Sequence, residues 1–187
     1  MATEYGMGRG KVFPASKARS LLNPARRLVQ SPRRIVRALG VDTDTRVLEV
    51  GCGPGYFSPA IAEAVPDGAL VLADLQAEML QLARQRTAAQ GNVRLVQLDV
   101  TRLPFASATF DAVVVVLMLG EVPDRELCLG ELRRVLRPGG VALFAESRRD
   151  GDFIRKAELR ELVEPHGFEL DQLRGWTYEY TARFLAR

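Results

Sequence analysis

The chain has 187 residues, 47% of them hydrophobic, which is enough for one domain with a substantial core. No run approaches the roughly 18 apolar residues that a membrane span needs, and MATEYGMGRGK lacks the apolar core of a signal peptide, so a soluble, cytoplasmic protein is expected. The net charge of +3 hides an asymmetry: residues 1–40 hold nine Lys and Arg against the single acid Glu4, while the remainder is net acidic.

That basic segment reads either as an attractor for an anionic partner or as solvated helix faces docked on an acidic body. Its first dozen residues, with three glycines, form a flexible lead. Ala18, Leu21 and Leu22, then Ala25, Leu28 and Val29, recur at helical spacing and predict short helices broken near Pro24. In SPRRIVRALG, Ser31 suits an N-cap and Pro32 the first turn. Ile35, Val36 and Leu39 make an apolar stripe, and Gly40 ends the helix.

From residue 46 strands and helices alternate. RVLEV is a buried strand, the turn GCGPG follows, and SPAIAEAV is a helix. ALVLADL, VRLVQLD, FDAVVVVLML and VALFAES are four further strands. The third of these, nearly all apolar, suits a strand covered on both faces. AEMLQLARQRTAAQG and DRELCLGELRRVL are the helices between them, the second stopped by Pro138 and Gly139 of RPGG. KAELRELVEPHG is a last helix, after which FELDQLRGWTYEYTARFLA gives two strand-like runs joined around Arg174-Gly175. The pattern predicts an α/β fold: a doubly wound, mostly parallel seven-stranded sheet, helices on both faces, and an antiparallel C-terminal hairpin at the edge.

In such a sheet ligands bind outside the carboxyl ends of the strands, so the residues just after each strand carry the chemistry. Gly51, Gly53 and Gly55 follow the first strand as G-x-G-x-G and permit close backbone approach. Glu49 stands inside that apolar strand, where a carboxylate needs a cation or donors. Asp74 ends the second strand, placed to accept from two ribose hydroxyls. Asp99 ends the third, and could accept from an exocyclic amine while Val100 packs on the base; turn formation or helix capping is the alternative for both aspartates. A dinucleotide turn reads G-x-G-x-x-G and faces a pyrophosphate. Here the third glycine comes one place early and the surroundings are acidic, which suits a cationic cofactor without phosphates.

The chain resembles the class I S-adenosylmethionine-dependent methyltransferases, in the group related to the ubiquinone and menaquinone methyltransferases. The likeness rests on VLEVGCGPGYF, LVLADL, VQLDVTRLPF, FDAVVVVLMLGEV and LRRVLRPGGVALFAE, in the family's order over roughly residues 45–146. It implies a Rossmann-like methyltransferase fold, with 1–40 a basic helical or lid segment and 41–187 the methyltransferase domain. It implies S-adenosylmethionine as cofactor and S-adenosylhomocysteine as product. Glu49 would lie near the methionine amino group over Gly51 and Gly53, Asp74 would hold the ribose, and Leu75, Asp99 and Val100 the adenine. Leu117 would face the methionine end.

The catalytic residue is open, since transfer from a sulfonium needs alignment above all and a base only when the acceptor must lose a proton. Glu121 is the candidate base, or else a cap for the helix after PDRE, and Glu146 is the other acid near the presumed mouth. His166, the only histidine, is not expected to act. No (D/N)-P-P-(Y/F) motif marks an adenine-N6 enzyme, and neither Cys52 nor Cys128 is placed as a nucleophile, in a disulfide framework or in a metal site. A small-molecule acceptor is expected. The alternatives are an RNA- or protein-directed enzyme using the basic segment, and a non-catalytic cofactor-binding module. Tyr5 to Pro14 is expected to form a lid that orders on binding.

Overall fold

A computed structural model describes residues 6, 8–23, 30–149 and 151–187. The strands are Arg46–Val50 (β1), Ala69–Asp74 (β2), Val93–Gln97 (β3), Phe110–Val116 (β4), Leu136–Ser147 (β5), Phe168–Trp176 (β6) and Glu179–Ala186 (β7). The helices are Pro32–Leu39 (α1), Ser58–Ala64 (α2), Ala77–Arg86 (α3), Arg125–Val135 (α4) and Lys156–Val163 (α5), with 3-10 turns at Ala15–Leu22, Leu119–Glu121 and Glu164–His166. The strands form one sheet in the order β3-β2-β1-β4-β5-β7-β6. β1 to β5 are parallel, and β7 and β6 close the edge as an antiparallel hairpin. The predicted seven-stranded, doubly wound architecture is therefore present.

The period-two alternation of each strand divides the core. Val47, Leu72, Val114 and Leu143 face α1, α2 and α3, whereas Leu48, Val113, Val115 and Phe144 face α4 and α5. β4 reads VVVV because both of its faces are covered. Strand order reverses between β1 and β4, which leaves a crevice beyond their carboxyl ends. Among the described residues no helix is long and apolar enough to cross a membrane.

Several boundaries differ from expectation, each for a local reason. β4 stops at Val116 because Leu117 has a left-handed backbone, φ 54°. α3 ends at Arg86, where the Thr87 hydroxyl donates to Ala83 O at 2.9 Å. α4 ends at Val135, and RPGG lies within β5 at a register shift against β4, so Pro138 and Gly139 bend a strand instead of ending a helix. Ser31 is the N-cap residue of α1, but its side chain makes no capping bond; Gly40 ends the helix as expected, at φ 59°.

The hairpin turns at Thr177-Tyr178, not at Arg174-Gly175, which lie inside β6. Gly175 is needed for cross-strand proximity, because a Cβ there would overlap Glu179 O and lie 2.8 Å from Tyr180 Cα. The expected second N-terminal helix around Ala25, Leu28 and Val29, with its break at Pro24, lies outside the described residues, as do Tyr5 and Met7 of the expected lid.

Candidate functional site

A cavity of about 340 Å³ opens in the crevice. Its floor is the turn after β1, which is bonded to the neighbouring strand: Cys52 N donates to Ala73 O at 3.1 Å, and Gly53 N to Asp74 Oδ2 at 2.8 Å. Gly51 and Gly53 line the cavity with φ of 62° and 53°. A Cβ on Gly51 would overlap the Met118 side chain, whereas one on Gly53 would meet only Leu21, at 3.8 Å. Gly55 behaves differently from its two partners. It is not part of the cavity wall; its missing Cβ lets α3 approach, since an added one would lie 2.9 Å from Ala83 Cα. The third glycine of the motif thus seats a helix.

Glu49, Asp74 and Asp99 all reach this cavity, in three distinct environments. Glu49 is 3% exposed, and its Oε2 has no hydrogen-bond partner among the described residues. Burial pushes its carboxyl up to about 8, the nearby Ser58 hydroxyl only partly offsets this without standing in hydrogen-bonding geometry, and the Asp74 charge adds to it. Asp74 is buried but bonded: Oδ2 accepts from Gly53 N and Oδ1 from Gln76 N at 2.9 Å. Burial raises its pKa, against the lowering effect of those backbone donors. Asp99 is exposed, and its Oδ1 accepts from Thr101 N at 2.9 Å and Thr101 Oγ1 at 2.7 Å. It both forms a turn and lines the cavity.

Leu75, Val100 and Leu117 complete the apolar wall. Leu117 holds its positive φ with its N–H donated to Ala145 O at 2.9 Å, a strained conformation set at the mouth of the cavity. Glu121 also lines the cavity, and its Oε2 accepts from Phe13 N at 2.9 Å. It does not cap α4; Asp124 does, accepting from Leu127 N at 3.0 Å.

Gln76, which belongs to none of the sequence motifs, also lines the cavity. Its side chain accepts from Ala15 N at 3.0 Å and donates to Phe13 O at 2.8 Å. Glu121 and Gln76 therefore hold Val12 to Ala15 as a strap across the cavity wall, with Gly10 N bonded to Gly120 O at 2.9 Å behind it. Arg9 anchors the same segment on Glu158 at 2.7 Å and on Phe153 O at 3.0 Å. A single glutamine that bonds a segment 61 residues earlier leaves no local pattern to find.

The other residues weighed from sequence lie apart. Glu146 is buried, accepts from Ile154 N at 3.3 Å, and does not line this cavity. His166 precedes β6, whose first residue pairs with the last of β7, so it sits at the amino edge of the parallel strands, 2.9 Å from Glu126 Oε2. Cys52 and Cys128 are buried and unbridged. Burial pushes both thiols up, Cys128 to about 12, which disfavours the nucleophilic thiolate.

A family model described as a methyltransferase domain matches residues 47–140, half of the chain. Demethylmenaquinone methyltransferase of Staphylococcus aureus strain JH9 is 37% identical over 116 residues, which are 62% of this chain and 48% of that protein. The chain thus spans about half the length of the curated relatives it matches. The crystal structure of a SAM-dependent methyltransferase from Aquifex aeolicus superimposes with a TM-score of 0.87 at 20% identity, covering 94% of this chain and 100% of that one. That of the methyltransferase CalH in complex with SAH gives 0.71 at 21% identity, over 84% and 56%. With the matched family model spanning the glycine turn, both cavity aspartates and the β4 wall, the chain belongs to the methyltransferase domain family, among the class I S-adenosylmethionine-dependent methyltransferases.

Proposed function

We propose that this chain transfers a methyl group from S-adenosylmethionine to a small-molecule acceptor, with the donor seated in the cavity beyond β1 and β4. The observation that carries this reading is Glu49, which lines the cavity beside a second buried acid and whose buried Oε2 has no hydrogen-bond partner among the described residues. Such a group wants a cation, and the donor carries an ammonium beside its sulfonium. When bound, the donor supplies an electrophilic methyl group, the acceptor's lone pair forming the new bond as the carbon–sulfur bond breaks.

In this proposal Glu49 takes the amino group, Gly51 and Gly53 let the methionine portion lie against the backbone, and Asp74 accepts from the ribose hydroxyls. Leu75, Asp99 and Val100 hold the adenine, and Leu117 bounds the methionine end. Gly55 acts only by seating α3. Glu121 anchors the strap through Phe13 N; it serves as base only for an acceptor that loses a proton. The likeness to a demethylmenaquinone methyltransferase favours a small acceptor over RNA or protein. So does Arg9, which is bound within the chain.

The Glu49 pairing has a proton signature. Burial raises the carboxyl from 4.5 to about 8, so it is mostly neutral at pH 7 and must ionise to pair with the ammonium. Calorimetry with S-adenosylhomocysteine, which keeps the amino group, in buffers of different ionisation enthalpy at pH 7 should therefore detect release of about one proton per site. Glu49→Gln should bind more weakly and release none; binding without buffer dependence in the wild type contradicts the pairing. The same shift makes the ligand-free protein lose stability as pH rises from 4.5 through about 8, because the raised pKa favours folding only while the group is protonated. Glu49→Gln should remove that slope from thermal melts.

The strap overlaps the end of the proposed lid, Tyr5 to Pro14. Cleavage by trypsin after Arg9 and Lys11 should slow several-fold with saturating S-adenosylhomocysteine, and Gln76→Ala should weaken this protection. Identical cleavage with and without ligand excludes a lid.

A further inference from the structure

A second cavity, of about 350 Å³, lies behind the first and shares Phe57, Val116 and Leu117 with it. It is framed by α1, the end of β5 and the β6–β7 hairpin, elements that contribute nothing to the donor site. The strained Leu117 stands at the junction, where a group in the second cavity reaches the methionine end of the first. We propose that this second cavity takes the methyl acceptor, and that the acceptor is a small anion with an aromatic or otherwise apolar body. The inference rests on the donor assignment above for the word acceptor; the anion site itself does not.

Arg34, Arg37 and Arg174 line the cavity, and none of their side chains makes a hydrogen bond or salt bridge among the described residues, Arg34 acting on Glu179 only through its charge. They are exposed and come from α1 and β6, far apart in sequence and brought to one opening by the fold. Two acids also line the cavity. Glu146 is 4% exposed and accepts from Ile154 N. Glu179 is half-buried, with its carboxyl pKa raised by burial against the opposing charges of Arg34 and Arg149. Three arginines against two acids, of which Glu146 is buried and bonded, leave the lining net cationic with forked donors, suited to a carboxylate or a phosphate.

The apolar part of the ligand is read from the walls. Ile35, Ala38, Phe57 and Tyr180 give a floor of aliphatic and aromatic surface. Trp176 stands at the opening with 85% of its surface in water, where its ring is available to stack on a bound ligand. Its neighbour in the turn, Tyr178, is already taken by Arg148, whose guanidinium lies 4.6 Å from the ring centroid. A flat apolar ligand can lie under Trp176 with its anionic group among the arginines.

Trp176 is the only tryptophan in the chain, so its emission reports on this cavity alone. Hydrocinnamate, a simple aromatic carboxylate, serves as the probe; hydrocinnamyl alcohol is the neutral control of the same shape. Titration of the wild-type chain saturated with S-adenosylhomocysteine should give a saturable change in Trp176 emission. The acid should bind about tenfold more tightly than the alcohol, and Arg34→Ala with Arg174→Ala should remove that preference. No emission change, or equal affinity for acid and alcohol, overturns the proposal, and the latter comparison needs no variant.

Calorimetry with S-adenosylhomocysteine on the same preparation separates the two readings. Donor binding without a hydrocinnamate response removes the anion site and leaves the donor site standing. A hydrocinnamate response without donor binding leaves the anion site and removes its role as acceptor site. Turnover of labelled S-adenosylmethionine with a small-molecule extract should place the labelled product in the fraction retained by an anion exchanger; label confined to the unretained fraction also overturns the proposal.

Discussion

Asp74→Ala is expected to weaken S-adenosylhomocysteine binding by roughly a hundredfold or more, as the loss of two charge-assisted hydrogen bonds implies. The carboxylate acts in two ways. Its oxygens already accept from Gly53 N and Gln76 N, fixing the glycine turn and the start of α3, and in the proposed complex they accept the ribose hydroxyls as well. Alanine removes the ribose acceptors and leaves two backbone N–H groups without partners, so the floor of the cavity loosens too. The fold itself should survive, because the burial that raises the Asp74 pKa makes its charge costly to keep, and removing it offsets part of the lost bonding. Calorimetry together with thermal melts checks this: binding should collapse while the melting temperature moves by a few degrees. Equal affinity in wild type and variant would overturn the ribose assignment.

Gly51→Ala is expected to be the most disruptive single methyl group in the turn, destabilising the fold by about 2–4 kcal/mol and abolishing donor binding. Its φ of 62° is unfavourable for any L side chain, and the new Cβ would overlap Met118 Cγ and lie 2.9 Å from Met118 Cβ. Met118 follows the strained Leu117, so pushing it away shifts the wall shared by both cavities. Gly53→Ala gives the comparison: a similar φ of 53°, but nothing nearer its Cβ than Leu21 at 3.8 Å, so only the backbone cost of about 1 kcal/mol applies to folding. Urea unfolding of both variants, and of Gly51→Ala combined with Met118→Ala, tests the argument. If Gly51→Ala is no less stable than Gly53→Ala, or the Met118 substitution restores nothing, the overlap is not what makes this glycine necessary.

The two substitutions also separate the meanings of glycine in one motif. G-x-G-x-G looks uniform on the page, yet Gly51 makes room for Met118, Gly53 leaves open space at the cavity, and Gly55 admits α3. A turn pattern records that a Cβ is unwelcome; it does not record what would meet it. The same limit misplaced the hairpin turn. Arg174-Gly175 is the usual composition of a turn, but Gly175 is consumed by a close cross-strand approach to Tyr180, and the chain reverses at Thr177-Tyr178 instead.

What the amino-acid sequence determined by itself was everything governed by short-range periodicity and by residues a few places apart. Alternation of apolar runs such as RVLEV and FDAVVVV with helical stripes points to parallel strands with helices on both faces, since each intervening helix is long enough to cross back over the sheet and cover a face. The order of those strands places Glu49, Asp74 and Asp99 at successive carboxyl ends and hence at one crevice. Tertiary structure alone decided how each acid is used: Glu49 Oε2 left without a partner, Asp74 tied to two backbone N–H groups, Asp99 turned onto Thr101. It alone brought Gln76 and Glu121 onto the strap, and Arg34 and Arg174 to one opening beside Trp176. Those contacts join segments 61 to 140 residues apart, and contacts over such separations depend on how elements pack, which no local pattern encodes.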